Sequence, residues 1–173
     1  MRDSIKEKLQ PSALKIIRDF QQVPGRKIGH LLKPFGIALV ERTMPATVSG
    51  RLTYDPSAGS ASGYCIIVNA NHPAERKRFT VAHELGHYLL HRLPEVFPAI
   101  FETERSGVAF YTEDDKIEEG EANAFAAEVL LPMGLFEVEY FKDTKDWSRL
   151  MSLFWVSRST LSKRVDEVWR RRL

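Results

Sequence analysis

One stretch of the chain, residues 78–91, constrains the fold more than any other. The apolar residues around it recur at a spacing close to 3.6, which predicts a helix over residues 74–93 that Pro94 ends. His83 and His87 stand four residues apart on this helix, so their imidazoles share one face. Two ring nitrogens placed in this way can converge on one zinc ion at about 2.0–2.1 Å.

Glu84 directly follows the first of these histidines and turns partly toward the same side of the helix. A carboxylate in that position can take a proton from a metal-bound water and pass it to a leaving amine. Together the three residues form the His-Glu-x-x-His pattern of zinc hydrolases. The alternative is a helix with two half-buried histidines and a solvated glutamate, and the small Gly86 between the histidines counts against it.

Two histidines leave a tetrahedral zinc ion one protein ligand short when water fills the fourth position. The metzincin pattern is excluded, because it needs Gly at position 90 and His at position 93, where this chain has leucines. His91 lies about 12 Å from His83 by helix rise, so it is a poor ligand for the same ion. We expect His91 to act as a capping or packing residue.

The missing ligand is expected from a second helix, predicted over residues 118–131 and closed by Pro132. Glu119 and Asn123 have the spacing of a thermolysin-like arrangement, in which a glutamate binds zinc and a residue four positions later holds a ligand histidine. Glu119 is therefore favoured, and Glu121, about 200° away around the helix, and Glu118 remain alternatives. Acidic residues also commonly start helices because they complement the helix dipole, which is the simpler explanation of this cluster.

The order of the remaining elements predicts an α+β fold. Two helices are predicted first, and three runs rich in β-branched and aromatic residues then suggest a small antiparallel sheet. A long acidic connection, residues 94–116, separates the two motif helices, and short helices complete the chain. The predicted elements are helices over 12–22, 28–33, 133–141, 146–154 and 157–172, and strands over 37–41, 47–54 and 64–69.

Composition limits the classes of function. The chain of 173 residues has a net charge of +2, so bulk charge does not indicate nucleic-acid or membrane binding. Its single cysteine, Cys65, excludes an internal disulfide framework and a cysteine-rich zinc cluster and fits a reducing compartment, so we expect a cytoplasmic protein. Neither a signal peptide nor a run of about 18 apolar residues is present, so no association with a membrane is expected.

The two motifs, residues 78–91 and 119–132, together with Asn69, resemble the ImmA/IrrE family of zinc metallopeptidases. The resemblance implies a minimal zincin-like fold of the gluzincin type in residues 1–140. It implies a Zn²⁺ ion held by His83, His87 and Glu119, with Glu84 as the catalytic base. It also implies a protein substrate: a helix-turn-helix repressor or antitoxin, encoded nearby, whose cleavage relieves repression.

Residues 141–173 form a second, smaller part of the predicted organisation. Residues 147–165 resemble a helix-turn-helix, with Ser157 as the N-cap of the second helix. Six Lys and Arg residues among positions 158–173 offer contacts for phosphates, so DNA binding is possible. We favour a helical pair that packs on the metallopeptidase domain and binds no DNA. Two other functions stay open at this stage: a non-proteolytic interaction module or toxin that keeps a zinc site, and a DNA-binding regulator.

Overall fold

The computed structural model describes residues 3–91, 113–144 and 146–172. Most of the acidic connection predicted over residues 94–116 lies outside these ranges. The described residues form eight α-helices, three strands and two short 3-10 turns. The helices are α1 (Asp3–Lys8), α2 (Pro11–Gln21), α3 (Gly29–Leu32), α4 (Ala74–Leu90), α5 (Glu113–Leu130), α6 (Met133–Lys142), α7 (Trp147–Phe154) and α8 (Arg158–Arg170), and the strands are β1 (Ala38–Arg42), β2 (Gly50–Tyr54) and β3 (Tyr64–Asn69).

The α+β class is confirmed, and most predicted helices lie within a few residues of their expected bounds. Two differences concern the helices. The six-residue helix α1 was not predicted, although Ile5 and Leu9 have helical spacing and are both buried. Helix α5 begins at Glu113, inside the stretch predicted as a loop, because residues 113–116 contain no Gly or Pro that would end it.

The sheet is mixed, so the prediction of an antiparallel sheet was wrong. The strand order is β1-β3-β2, and β3 pairs in parallel with β1 and antiparallel with β2. Strand β3 takes the centre because four of its residues, 65–68, are apolar and buried on both faces. The chain reverses once after β1 and again after β2, and β3 therefore runs in the same direction as β1.

Helix α4 is held between the sheet and α5. A Cβ atom added to Gly50 of β2 would lie 2.6 Å from Cγ2 of Thr80, which shows how closely α4 approaches the sheet. On the opposite side, a Cβ atom added to Gly86 would lie 3.1 Å from the Cα atom of Ala122 in α5. Small residues at both contacts let three elements pack tightly around the histidine-bearing helix.

The last three helices pack on this assembly through apolar and ionic contacts. Phe136 of α6 and Phe154 of α7 are fully buried, with ring centroids 5.9 Å apart. Arg164 of α8 places a guanidinium nitrogen 3.1 Å from the carboxylate of Glu128 in α5, and both residues are buried.

Among the described residues, no helix has both the length and the apolar character that a membrane-spanning helix requires.

Helices α7 and α8 have the predicted helix-turn-helix arrangement. Trp155 ends α7 in the left-handed conformation, with a φ of 52°, and this turns the chain sharply. The hydroxyl of Ser157 accepts a hydrogen bond of 3.3 Å from the backbone N–H of Thr160, so Ser157 caps α8 as expected.

Candidate metal centre

Three side chains from two helices meet where α4 crosses α5. The Nε2 atoms of His83 and His87 are 3.0 Å apart. One carboxylate oxygen of Glu119 lies 2.8 Å from Nε2 of His87, and the other lies 3.5 Å from Nε2 of His83. The structure therefore brings together the residues that the two motifs predicted as a ligand set.

These distances fit a divalent metal ion. The ligand atoms of a tetrahedral zinc ion with bonds of about 2.0–2.1 Å stand about 3.3–3.4 Å apart. The observed separations, 2.8 to 3.5 Å, lie on both sides of that value. Two imidazoles and one carboxylate are a donor set that suits zinc, and the same set also accepts other first-row divalent metals. His83, His87 and Glu119 together form a group that can hold a metal ion.

The centre is shielded but not closed. The side chains of His83 and His87 are each 13% exposed, and that of Glu119 is 27% exposed. Glu84 is only 8% exposed, which disagrees with the alternative of a solvated glutamate on a structural helix. Glu84 is therefore a buried carboxylate one residue after His83 on α4.

Two neighbours of the triad form a separate group. The ring of His91 places Nδ1 3.1 Å from Nδ1 of His87 and Nε2 2.9 Å from a carboxylate oxygen of Glu121. Lys8 of α1 binds both oxygens of the same carboxylate, at 2.6 and 2.7 Å. Burial tends to raise the pKa of Glu121, but the hydrogen bonds from Lys8 and His91 outweigh it and hold that pKa below its ordinary value.

The structure separates the three candidate glutamates. Glu119 lies with His83 and His87, whereas Glu121 lies with His91 and Lys8. Glu118 has a carboxylate oxygen within 4.8 Å of ligand atoms of both His87 and His91. The helical angle between positions 119 and 121 accounts for this division, because it directs the two side chains to different faces of α5.

Asn123 was expected to hold a ligand histidine by its second ring nitrogen, and the structure places it elsewhere. Its side chain is exposed on the wall of a cavity of about 670 Å³ between α4, α5 and α8. The residue found at the second nitrogen of His87 is His91. His91 is also the C-cap residue of α4, as predicted, and its backbone N–H donates to the carbonyl of His87. Sequence reasoning missed the role of its ring, although its spacing from His87 was visible.

Asn69, which belongs to the family resemblance, has a structural role. It is fully buried, and its Nδ2 group donates to the backbone carbonyls of Met44, Pro45 and Val48 at 3.1, 3.0 and 2.9 Å. Its Oδ1 atom accepts from the backbone N–H of Asn71 at 3.1 Å. The side chain therefore fixes the connection between β1 and β2 against the end of β3.

One tyrosine and two other histidines lie outside the triad. Tyr88 lies edge-on to Tyr64, with ring centroids 5.0 Å apart. Nε2 of His72 lies 3.1 Å from the backbone carbonyl of Ala46, which indicates a structural role. His30 is exposed on α3.

Comparison with known proteins agrees with the resemblance seen in the sequence. A peptidase family model, described as the IrrE N-terminal-like domain, matches residues 32–166. No curated protein matches the chain. A solved structure, a Mycobacterium tuberculosis transcriptional regulator, matches 92% of this chain with a TM-score of 0.57 and 19% identity, and this chain spans 48% of that one. At that identity the likeness shows a common fold alone. Because the family match covers well over half of its residues, the protein belongs to the peptidase family defined by the IrrE N-terminal-like domain.

Proposed function

We propose that this protein is a zinc-dependent endopeptidase in which His83, His87 and Glu119 bind the metal and Glu84 is the general base. The observation that carries the proposal is the meeting of His83, His87 and Glu119 from α4 and α5, with contacts of 2.8 to 3.5 Å between their ring nitrogens and carboxylate oxygens. The burial of Glu84, one residue after His83 on α4, supports its role. Membership of a peptidase family supports the class of reaction.

In the proposed hydrolysis, the metal and the side chains would have different roles. A divalent cation held by His83, His87 and Glu119 would supply Lewis acidity for the attack of water on the scissile carbonyl. The two imidazoles bind as neutral rings through Nε2, and the Glu119 carboxylate supplies negative charge from the second helix. Glu84 takes the proton from the attacking water and later gives it to the leaving amine. The closely packed α4 and α5 hold these groups in place before the substrate arrives.

The proposed substrate is a helix-turn-helix repressor or antitoxin encoded nearby, and its cleavage would relieve repression in the cytoplasm. The family resemblance supports this class of substrate. The fold shared with a transcriptional regulator is compatible with it. Glu118, half-buried near the centre, adds negative charge that favours a basic, DNA-binding protein.

We further propose that residues 141–173 pack on the metallopeptidase domain of residues 1–140 rather than bind DNA. The buried ion pair between Arg164 and Glu128 supports this, because it joins α8 to the ligand helix α5. Leu161 and Val168 of α8 are both fully buried. A recognition helix needs an exposed face for base edges, and these contacts occupy one side of α8.

The test uses purified full-length protein loaded with zinc and the helix-turn-helix protein encoded next to it. We expect about one zinc per chain and a defined cleavage product. Glu84→Gln should keep the metal and abolish the product. Glu137→Gln, a half-buried glutamate on α6, is the matched control and should cleave normally. A zinc-loaded Glu84→Gln variant that still cleaves would contradict the proposed mechanism.

A further inference from the structure

The imidazole ring of His87 has contacts through both of its nitrogen atoms. Its Nε2 atom points into the triad, and its Nδ1 atom contacts Nδ1 of His91 at 3.1 Å. On the far side of His91, Nε2 lies 2.9 Å from the Glu121 carboxylate, which Lys8 also binds. These contacts form a continuous row from α1 through α5 to the ligand histidine.

The row permits one arrangement of protons if His87 binds a metal as a neutral ring. Its Nε2 lone pair then faces the ion, so Nδ1 carries the proton and donates it to His91. Nδ1 of His91 must accept, which places the proton of His91 on Nε2, where it donates to Glu121. A carboxylate can only accept from that N–H and from Lys8, so each donor in the row meets an acceptor.

We propose that Lys8, Glu121 and His91 form a positioning chain that fixes the tautomer and the ring orientation of His87 for metal binding. This inference rests on the metal site of the proposed function. Metal-ligating histidines usually donate their second ring N–H directly to a carboxylate, carbonyl or water. In this protein the imidazole of His91 lies between His87 and the Glu121 carboxylate, and it orients His87 as a directly bound carboxylate would.

The burial of the row supports its role. The side chain of His91 is 7% exposed and that of Glu121 is 20% exposed, whereas Lys8 at the outer end is 45% exposed. An exposed ion pair contributes little free energy, so Lys8 is expected to be the weakest member. The inner contact between His91 and His87 is expected to matter most, because water competes least for it.

The test compares two substitutions of the same residue. Asparagine places Oδ1 close to where histidine has Nδ1, so His91→Asn keeps an acceptor for the His87 N–H. His91→Phe keeps a ring but removes the acceptor. Zinc affinity, measured by competition with a chromophoric chelator, should fall about 10- to 100-fold in His91→Phe and stay close to wild type in His91→Asn. In the Co²⁺-loaded proteins, the visible absorption bands should change only in His91→Phe.

Thermal unfolding separates positioning from a purely structural role. Without metal, His91→Phe should unfold close to the wild-type temperature, and the stabilisation that added zinc gives should be smaller. If His91→Phe does not fold, Glu121→Ala provides the second test and should also weaken zinc binding, with Lys8→Met giving the smaller effect. Wild-type zinc affinity in whichever of His91→Phe and Glu121→Ala folds, or equal losses in His91→Asn and His91→Phe, would overturn the inference.

Two further outcomes distinguish this inference from the proposed function. His87, His91 and Glu118 also form a group that can hold a metal. Binding of two zinc ions, one of which is lost in His91→Phe, would make His91 a ligand and overturn the positioning role. A wild-type protein that binds one zinc ion and shows the expected His91→Phe defect but cleaves nothing would contradict the endopeptidase proposal and support the positioning chain. A wild-type protein that binds no divalent metal would overturn both.

Discussion

Gly86 of α4 lies directly against Ala122 of α5, so close that a Cβ atom on the glycine would stand 3.1 Å from the alanine Cα and 3.1 Å from a ring carbon of Phe125. This contact sets the distance between the helix that carries the two histidines and the helix that carries Glu119. The geometry of the candidate metal centre therefore depends on a residue that offers no side chain to it.

Gly86→Ala is expected to push α5 away from α4. The crowded contact should cost about 1–3 kcal/mol, which exceeds the gain of about 1 kcal/mol in helix propensity. Chemical denaturation and a zinc competition assay measure the two effects, and both stability and zinc affinity should fall. Gly120→Ala is the control on α5, because a Cβ atom there meets nothing within 4 Å. That variant should be more stable than wild type by about 0.5–1 kcal/mol, and equal effects of the two substitutions would contradict this account.

Removing the carboxylate ligand is expected to abolish tight metal binding. Glu119→Ala leaves two protein ligands and should lower zinc affinity by more than about 100-fold, a larger loss than removal of an outer contact gives. Zinc content after dialysis, measured by atomic absorption, checks this. Glu118→Ala is the neighbouring control and should retain the metal. If Glu118→Ala loses zinc and Glu119→Ala keeps it, the assignment of the third ligand is wrong.

The ion pair between Arg164 and Glu128 predicts a non-additive effect on stability. Arg164→Leu leaves the buried Glu128 carboxylate without this cation and should lower the free energy of unfolding by about 3–5 kcal/mol. Replacing both residues by leucine should cost less than Arg164→Leu alone, because no buried charge is then left without its partner. Urea denaturation of Arg164→Leu, Glu128→Leu, the double variant and the wild type measures the difference. A double variant that loses the sum of both single effects would show that the pair is not coupled.

Glu139, which joins α6 to α7, is expected to stabilise the fold near neutral pH and to lose this effect in acid. Hydrogen bonds from Lys142 and then Arg149 hold the pKa of its carboxyl below its ordinary value. Because the folded pKa is lower than the unfolded one, the stabilisation is complete above the unfolded value of about 4.3 and is lost as pH falls through the folded pKa. Denaturation at several pH values should show Glu139→Gln less stable than wild type near neutral pH, with the difference shrinking in acid. A difference that does not change with pH would contradict the prediction.

DNA binding by α8 is expected to be absent. A mobility-shift assay with the DNA upstream of the protein's own gene should show no complex even at about 50 mM salt, where phosphate contacts are strongest. The helix-turn-helix protein proposed as the substrate is the positive control, because we expect it to bind the same DNA. A specific complex that Arg158→Ala and Lys163→Ala weaken would instead favour a DNA-binding regulator.

The histidine-bearing helix α4 could be predicted from the sequence because its signals are local. His83 and His87 are one turn apart, and Pro94 follows the helix closely. The choice of Glu119 over Glu121 also followed from local geometry, since the two positions face different sides of a helix. Local geometry could not show that β3 stands between β1 and β2, because the choice of strand neighbours depends on which strand is buried on both faces.

The contacts of the His91 ring also could not be predicted from local sequence signals. Its spacing from His87 was visible, but the carboxylate that orients its ring belongs to Glu121, thirty positions further along the chain. That contact exists only once α4 and α5 have packed. Asn123 was predicted to hold a ligand histidine by analogy of spacing, and it faces the neighbouring cavity because α8 leaves an open space there.

The structural role of Asn69 depends on its side-chain nitrogen atom, Nδ2. Its side-chain nitrogen faces three backbone carbonyls, so an aspartate of nearly the same shape would set an oxygen against three other oxygens. Deamidation hardly changes the size of the side chain. It would nevertheless replace three hydrogen bonds by three repulsive oxygen–oxygen contacts in the connection between β1 and β2.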